Sequence, residues 1–237
     1  MTQFKRTEML FGKNSIEKLK TSRVAVFGIG GVGGHVVEAL VRSGVGIVDI
    51  IDNDVVHNSN LNRQIIALHS TVGEAKVDAF EKRMTDINPD VVINKYACFF
   101  TPENSSQFDF SAYNYVADCI DTVTGKIELV LKCQESGTPI ISSMGTGNKL
   151  NPADLEVSDI YKTSVCPLAK VMRNELKKRN IKKLKVVYSK EIPVTPTEFI
   201  EDKESKKRIV GSNAFVPATA GLIIASEIVK DIIKSER

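Results

Sequence analysis

A glycine-rich turn between a strand and a helix is the feature that most constrains the fold of this chain. Residues 23–27 (RVAVF) predict a short buried strand, and residues 35–42 predict a helix. Three glycines lie between them in the spacing G-x-G-x-x-G: Gly28, Gly30 and Gly33. Glycines at such a junction permit a tight turn and let backbone N–H groups approach a phosphate, beside the partial positive charge of the helix N-terminus. The pattern predicts a nucleotide-binding loop.

A second strand and a carboxylate follow at the distance that a nucleotide site requires. Residues 47–51 (IVDII) predict this strand, and Asp52 comes at its end. A carboxylate about 20 residues after the glycines accepts hydrogen bonds from a ribose. We assign Gly31, inside the loop, and Asp54, just beyond the strand, to the same nucleotide site. The alternative is a glycine-rich turn without a ligand, and the motif alone does not choose between NAD and ATP.

Strands and helices continue to alternate through the first half of the chain. Residues 91–97, 115–120 and 139–143 predict three further strands, and residues 73–87 and 124–135 predict helices. Apolar strands that alternate with helices are typical of a parallel sheet covered on both faces. We therefore predict an α/β fold with a Rossmann-like, mostly parallel sheet and helices on both faces.

The second half predicts a C-terminal extension of strands and a basic helix. Residues 155–160 and 184–188 predict the strands, and residues 168–179 predict the helix. Residues 191–207 are polar and predict a mobile loop. A last helix is predicted at 214–233, and its apolar residues cover so much of its circumference that we expect a partner surface, which makes it a candidate dimer interface. These residues are Leu222, Ile223, Ile224, Ile228, Val229 and Ile232.

The length of 237 residues suits a single domain, which we divide into three parts. Residues 1–22 form an N-terminal arm, residues 23–150 the nucleotide-binding part, and residues 151–237 the part that binds substrate and dimerises. The 32 Lys and Arg residues against 29 Asp and Glu give a net charge of only +3, so no strong global field attracts nucleic acid. We expect any polyanion site to come from local clustering, and we expect no DNA partner.

The cysteine spacing and the apolar segments indicate the cellular compartment of the protein. No two of the four cysteines have the spacing C-x-x-C, which argues against a four-cysteine zinc site. The first residues, MTQFKRTEML, lack the apolar core of a signal peptide, and the longest uncharged run, 209–226, is too polar for a membrane span. We expect a cytoplasmic protein that has no membrane partner.

Polar residues near the predicted crevice favour triphosphate chemistry over hydride transfer. Asn60 and Arg63 are three residues apart and point the same way on a helical turn. Arg63 suits a phosphate, and Lys76 on the next helix adds a second positive charge. Asp121 follows the fourth strand, at the sheet edge where open α/β proteins bind ligands, and its carboxylate suits Mg²⁺, which NAD does not need. The alternative is a surface salt network.

Several phrases of the sequence resemble the ubiquitin-activating-like adenylating enzymes, a superfamily with members of the ThiF, MoeB and HesA types. The phrases are GIGGVGG, IDNDVVHNSNLNRQ, GEAKV, INP and DCIDTVTGK. The chain is most similar to the tRNA threonylcarbamoyladenosine dehydratases, on the phrases QFKRTEMLFG, RSGVGIVDIID, NRQIIALHSTVG and PLAKVMRNELKKRNI. The likeness covers nearly the whole chain.

The resemblance implies a homodimer that uses ATP and Mg²⁺ to adenylate a carboxylate. It implies that the glycine loop and Asp52 bind the nucleotide and that Asp121 orients Mg²⁺. It assigns phosphate contacts to four residues: Asn60, Arg63, Gln64 and Lys76. Arg6 resembles an N-terminal arginine that reaches the ATP of the partner subunit, and the alternative for Arg6 is a solvated terminal residue. Catalysis would then rest on Arg63, Lys76 and Asp121.

The closer likeness implies a tRNA substrate. The group adenylated would be the threonine carboxylate of N6-threonylcarbamoyladenosine at position 37, which then closes a ring with loss of AMP and, in net terms, of water. A basic cluster in and after the helix at 168–179 offers phosphate contacts to the tRNA. Its members are Lys170, Arg173, Lys177, Lys178, Arg179, Lys182 and Lys183. The alternative is a solvated basic helix face.

Three other functions stay open from the sequence: an activator of a ubiquitin-like sulfur carrier, of the ThiF or MoeB type, an NAD dehydrogenase, and a non-catalytic nucleotide module. The missing cysteine pairs count against the first. Cys166 is expected to be exposed beside Lys162 and Lys170, which would lower its pKa and make it a candidate acceptor. The dehydratases often carry Asp at this position, so an incidental replacement is the alternative. A sulfur-transfer partner protein also stays open.

Overall fold

A single sheet of seven strands organises the chain. The computed structural model describes residues 2–201, 208 and 210–234. The strands are β1 (Arg23–Phe27), β2 (Ile47–Ile51), β3 (Val92–Tyr96), β4 (Tyr115–Asp118), β5 (Ile140–Ser143), β6 (Leu155–Asp159) and β7 (Lys185–Ser189). Their spatial order is β3-β2-β1-β4-β5-β7-β6, and only β6 runs antiparallel, against β7. The predicted Rossmann-like, mostly parallel sheet is confirmed.

Helices cover both faces of this sheet, as predicted. They are α1 (Lys5–Phe11), α2 (Lys13–Thr21), α3 (Gly33–Ser43), α4 (Lys76–Ile87), α5 (Val123–Ser136), α6 (Pro167–Lys178) and α7 (Val216–Lys234). Apolar residues of α2, α3, α4 and α7 form one core with one face of the sheet, whereas α5 and α6 pack on the other face. The sequence did not predict α1 and α2, which lie in the segment interpreted as an arm.

The alternation of side chains along β1 explains why both faces are covered. Val24 and Val26 belong to the core under α3 and α7, whereas Ala25 and Phe27 belong to the core under α5. Phe27 is fully buried in a group of aromatic rings, with Phe100 at 4.8 Å between ring centroids. A strand that is apolar on both faces can exist only inside such a sandwich of helices.

Among the element boundaries that differ from the sequence prediction, two differ for reasons visible in the backbone. Helix α4 begins at Lys76 rather than at residue 73, because Gly73 has a φ of +93° and Ala75 bridges to Val55. Strand β4 ends at Asp118 rather than at residue 120, because the chain leaves the sheet after the Cys119 amide has donated to the Phe27 carbonyl. Both differences occur at the carboxyl edge of the sheet.

The C-terminal helix α7 packs within its own chain to a greater extent than the sequence predicted. The expectation of a partner surface is wrong for Ile224, Ile228, Val229 and Ile232, which are all buried in the core shared with α3. Gly221 permits this packing, since a Cβ there would lie 2.4 Å from the Val32 carbonyl oxygen. Among the six residues expected to need a partner, Leu222 is exposed and Ile223 is half-buried.

The predicted mobile loop at 191–207 lies partly outside the described residues, which omit 202–207. Residues 191–200 form neither helix nor strand. Within the part of the chain that the structure describes, no helix is long and apolar enough to cross a membrane.

Candidate functional site

A cavity of about 440 Å³ opens at the carboxyl ends of β1, β2 and β4. The strands bring to it most of the residues that the sequence assigned to a nucleotide site. The predicted residues that line the cavity are Gly28, Gly30, Gly31, Asp52, Asp54, Asn60, Arg63, Gln64, Lys76 and Asp121. Ligands of open α/β sheets bind at this edge because loops from neighbouring strands converge there.

The glycines of the loop serve two different purposes. Gly28 has a φ of +81°, and a Cβ there would lie 2.9 Å from the Cys119 carbonyl oxygen. Gly33 opens α3, where a Cβ would lie 1.8 Å from the carbonyl oxygen of Gly28. At Gly30 and Gly31 the nearest atoms to a Cβ are 3.6 and 3.4 Å away. The first pair of glycines therefore closes the turn, and the second pair leaves the wall of the cavity bare for a ligand.

Asp52 is held in place by the loop that it faces. Its carboxylate accepts hydrogen bonds from the backbone amides of Ile29 and Asp54, both at 2.9 Å. These bonds join the end of β2 to the glycine loop and fix the carboxylate at the cavity wall. This is the position from which the sequence predicted that Asp52 binds a ribose.

Lys76 brings a buried positive charge to the cavity. Its side chain is almost completely buried, and its ammonium lies 2.7 Å from an Asp54 carboxylate oxygen and 3.7 Å from one of Asp52. The bond to Asp54 is a charge-assisted hydrogen bond, but Asp54 is itself half exposed. The ammonium is therefore held at the edge of the phosphate loop, where a phosphate oxygen can compete with Asp54 for it.

The turn after β2 supplies three more polar side chains. The Asn60 amide oxygen accepts from the His57 backbone amide at 3.0 Å, which leaves its NH₂ group for a ligand. The Arg63 guanidinium donates from one nitrogen to the Ser59 carbonyl at 2.7 Å. Gln64 is buried, and its amide oxygen has no hydrogen-bond partner among the described residues. A buried, unpaired polar atom beside a cavity indicates a place that a ligand or water fills.

Asp121 stands on the loop between β4 and α5, where it is exposed and lines the cavity. Within the described ranges, no group of three or more His, Cys, Asp and Glu side chains could hold a metal by itself. A single carboxylate beside a triphosphate site nevertheless fits Mg²⁺, which is commonly held by one or two carboxylates together with phosphate oxygens. The donor set is therefore compatible with Mg²⁺ that arrives with ATP.

Several lining residues were missed by the sequence analysis. Thr146 follows β5 at the same sheet edge, and its position after a strand was the only available signal. Ser212 and Pro217 come from the distant start of α7 and carried no signal in the sequence. Cys98 and Phe99 follow β3 and line the wall near Asp52. The cavity thus extends beyond the predicted nucleotide residues toward Thr146 and Ser212.

Arg6 does not reach the cavity of its own chain. It is exposed on α1. The start of this segment packs at the other end of the sheet, where the Gln3 side chain donates to the Asn88 side chain at 2.9 Å and Phe4 lies beside Gly44. Gly44 and Asn88 precede β2 and β3, so α1 lies at the amino edge of the strands. Contact of Arg6 with the ATP of a partner subunit stays a prediction.

The cysteines do not offer a nucleophile at the site. The expectation that Cys166 is exposed is wrong: it is buried at the start of α6, in a cluster with Met144 and Ile160. Of the cysteines at the cavity, Cys119 has a pKa well above its ordinary value, because of burial and then of the neighbouring Asp118 carboxylate. Burial also raises the pKa of the Cys98 thiol. Thiols that hold their protons are poor nucleophiles.

The basic cluster divides into engaged and free side chains. Arg173 donates to the Thr163 carbonyl at 3.1 Å and also to its hydroxyl, so it secures the segment before α6. Lys178 and Arg179 both pair with Glu175. The remaining members are exposed and form no ion pair within the described part of the chain: Lys170, Lys177, Lys182 and Lys183.

Fold and cavity together define a Rossmann-like nucleotide-binding protein with two cations, Arg63 and Lys76, on the wall of its cavity. The sequence profile of the ThiF family matches residues 4–237. The chain is 44% identical to the tRNA threonylcarbamoyladenosine dehydratase of Bacillus subtilis, over 98% of this chain and 95% of that protein. It is 34% identical to the protein of the same name from Escherichia coli, over 98% and 93%. The chain therefore belongs to the ThiF family, in the branch of the tRNA threonylcarbamoyladenosine dehydratases.

Solved structures give the same result. The E. coli tRNA N6-threonylcarbamoyladenosine dehydratase in complex with ATP matches with a TM-score of 0.90 and 32% identity, over 99% of this chain and 95% of that one. Its complex with AMP matches equally well, also with a TM-score of 0.90. The similarity therefore extends over the fold and nearly the full length of the chain.

Proposed function

We propose that this chain catalyses the ATP-dependent dehydration of N6-threonylcarbamoyladenosine at position 37 of tRNA, by adenylation of the threonine carboxylate. The observation that carries the proposal is the convergence of a phosphate loop, two cations and one free carboxylate on a single cavity. Hydride transfer would not require Arg63, Lys76 and Asp121 together. The names of the homologues and the ATP complex of one of them support this assignment.

The first step is attack of the threonine carboxylate on the α-phosphorus of ATP. A bond forms between a carboxylate oxygen and phosphorus, and the bond to pyrophosphate breaks. The carboxylate is already ionised at neutral pH, so the step needs no general base. Negative charge develops on the phosphate and pyrophosphate oxygens. Arg63 and Lys76 lie on the cavity wall, and their positive charges would stabilise this negative charge.

Mg²⁺ belongs to the same proposal, with Asp121 as the carboxylate that holds it. The ion would neutralise charge on the phosphate oxygens. Asp121 and the glycine loop line the same cavity, so a metal at Asp121 and the loop amides would both act on the triphosphate.

The second step closes a ring within the substrate. A nucleophilic group of the threonylcarbamoyl moiety attacks the activated carbonyl carbon, AMP leaves with one of the former carboxylate oxygens, and the nucleophile loses a proton. The product is lighter than the substrate by one water, and ATP has become AMP and pyrophosphate. Because the attack is intramolecular, its effective molarity is high and no acceptor cysteine is required. The raised pKa values of Cys98 and Cys119 agree with this.

The tRNA is proposed to lie along the exposed lysines of α6 and of the segment that follows it. The first turn of α6 adjoins the cavity: a Cβ on Gly145, next to Thr146, would lie 3.9 Å from both the Cys166 sulfur and Leu168. Lys170 lies at the end of this first turn. From there the free lysines lead away from the cavity, and they offer contacts to the RNA backbone rather than to bases.

A homodimer completes the proposed assembly. Arg6 would enter the site of the other subunit, and the exposed Leu222 on α7 would lie at the interface together with Ile223. The division into a nucleotide-binding part (23–150) and a substrate and dimerisation part (151–237) belongs to the same proposal. We place the enzyme in the cytoplasm, with its tRNA substrate.

Pyrophosphate exchange tests the adenylation step directly. The purified protein is incubated with ATP, Mg²⁺, labelled pyrophosphate and tRNA that carries threonylcarbamoyladenosine. Label is expected to enter ATP only in the presence of this tRNA. Exchange that requires a ubiquitin-like carrier protein and ignores tRNA would contradict the proposal and favour a sulfur-carrier activator. Absence of exchange under both conditions would contradict adenylation itself.

A further inference from the structure

A completely buried ion pair lies directly beneath the cavity. The Lys126 ammonium donates to the Asp118 carboxylate at 3.0 Å, and both side chains have no exposed surface. Lys126 also donates to the Ser142 hydroxyl at 3.2 Å, and that hydroxyl donates to the other Asp118 oxygen. The steps proposed above do not use any of these three groups.

Stability alone is a poor explanation for this pair. Removing two charges from water is costly, and well-packed apolar residues of similar volume often replace a buried ion pair without loss of stability. The apolar cluster nearby, with Phe27, Leu129 and Cys133, provides a core that such residues would extend. The pair fixes the relative position of the elements that carry it.

Those elements meet where the loop that bears Asp121 begins and ends. Asp118 is the last residue of β4, and it pairs with Ser142 of β5 in the register of the sheet. Lys126 lies in the first turn of α5, where its backbone amide donates to the Thr122 carbonyl. Only residues 119–122 separate Asp118 from Val123, the first residue of the helix. The side chain of Lys126 therefore ties the end of the loop back to its beginning.

The packing around this loop leaves it little freedom. Gly125 lies so close to Ile120 that a Cβ there would be 2.7 Å from the Ile120 side chain. The Cys119 amide donates to the Phe27 carbonyl at 2.8 Å, and the Cys119 carbonyl packs on Gly28. Asp121 is the exposed residue of this otherwise tightly held loop. Its position relative to the glycine loop thus depends on where α5 begins.

We propose that Lys126 is a positioning residue: by joining Asp118 and Ser142 to the first turn of α5, it fixes Asp121 at the distance from the glycine loop that ATP with Mg²⁺ requires. The inference rests on the proposed function of Asp121. A carboxylate displaced by about 1 Å can lose most of its effect on a bound phosphate. Lys126 itself is fully buried and does not line the cavity.

The test compares Lys126→Met with Lys132→Met, a control that removes a partly exposed lysine from the same helix α5. ATP binding is measured by calorimetry in the presence of EDTA and again in the presence of Mg²⁺. We expect Lys126→Met to bind ATP normally in EDTA. The increase in ATP affinity that Mg²⁺ causes should be about tenfold smaller than in the wild-type protein. The control is expected to match the wild-type protein. Equal weakening with and without Mg²⁺ would overturn the proposal, because it would indicate a general structural defect.

A double-mutant cycle with Asp121→Asn supplies the second readout. If Lys126 acts through Asp121, Lys126→Met slows pyrophosphate exchange in the wild-type background but adds no further loss to Asp121→Asn. The same loss in both backgrounds would overturn the inference. Full exchange by Asp121→Asn alone would overturn it too, and would also remove the metal carboxylate from the proposed function. If the wild-type protein shows no exchange, the proposed function fails, but the calorimetric comparison still decides the role of Lys126.

A milder variant keeps the test decisive if Lys126→Met does not fold. Ser142→Ala removes one hydrogen bond to Asp118 and leaves the ion pair intact. We expect it to reduce the Mg²⁺-dependent gain in ATP affinity in the same direction, by about threefold. A folded Ser142→Ala protein with the full gain would contradict the role of this network in positioning Asp121.

Discussion

Replacement of a glycine of the phosphate loop by alanine is expected to lower stability at Gly33 and ATP affinity at Gly30. In Gly33→Ala the new Cβ would lie 1.8 Å from the carbonyl oxygen of Gly28, whereas an ordinary contact begins at 3.4 Å. The loop and the start of α3 would have to separate by about 1.6 Å, and overpacking of this kind costs about 3 kcal/mol. For a chain of this size the melting temperature is expected to fall by about 6–12 °C.

In Gly30→Ala the Cβ would meet nothing closer than the Gln64 side-chain nitrogen, at 3.6 Å. The free energy of unfolding should therefore change by less than about 0.5 kcal/mol. ATP affinity should nevertheless fall, since the methyl group covers backbone that a phosphate approaches. The two variants are compared by thermal unfolding without ligand and by calorimetric titration with ATP.

The reasoning would be refuted by the reverse pattern. A Gly33→Ala protein with the melting temperature of the wild-type protein would mean that the loop yields easily around α3. A Gly30→Ala protein that binds ATP as well as the wild-type protein would mean that phosphates do not approach this part of the loop.

Three further predictions follow from the site and its surroundings. Lys76→Met is expected to reduce pyrophosphate exchange by about a hundredfold, whereas replacement of the exposed Lys82 of the same helix α4 by Met should have no effect. Replacing Lys170 and Lys177 by Ala should lower the salt dependence of tRNA binding by about one unit of slope per lysine, as filter binding at several salt concentrations would reveal, and an unchanged slope would remove α6 from the tRNA surface. Burial lowers the pKa of His35 below its ordinary value, so the folded state favours the neutral ring. His35 therefore contributes to the free energy of unfolding above about pH 6.5, its pKa in the unfolded state. This contribution is lost as the pH falls through the lower pKa of His35 in the folded state. His35→Gln should flatten urea-unfolding stability over that range, and an unchanged profile would contradict this origin.

The sequence predicted the nucleotide half of the site because its determinants are local. Strand β1, the glycines and the start of α3 follow each other directly in the sequence. The geometry of the turn between them can therefore be predicted from their spacing. Asp52 was found for a related reason: β2 lies next to β1 in register, which places the end of β2 beside the loop. Parallel strands align their carboxyl ends, so residues that follow them converge.

The contribution of Ser212 and Pro217 to the cavity could not be predicted from spacing. Ser212 and Pro217 reach it because the Asn62 side chain donates to the Ser212 carbonyl at 3.1 Å and because α7 lies close on the glycine loop at Gly221. Such contacts depend on packing between segments about 150 residues apart. Cys166 illustrates the same limit, since neighbouring lysines in the sequence suggested exposure while the tertiary structure buries its side chain.

The expectation that most apolar residues of α7 need a partner chain was wrong for a reason of geometry. A broad apolar circumference on α7 suggested a second chain, but α3 and the sheet surround the helix on several sides and bury Ile224, Ile228 and Val229. Amphipathic patterns report how much of a helix is buried and not by which partner. The exposed residue Leu222 is therefore a better marker of an interface than the apolar content of the whole helix.

The mass of the modified nucleoside tests the central claim most directly. The protein is incubated with ATP, Mg²⁺ and tRNA that carries threonylcarbamoyladenosine, the tRNA is digested, and the nucleosides are analysed by mass spectrometry. We predict a nucleoside lighter than threonylcarbamoyladenosine by one water, formed only when ATP is present and absent with Arg63→Ala. An unchanged mass, in a reaction where the same protein binds ATP and tRNA, would contradict the assignment of this site to dehydration.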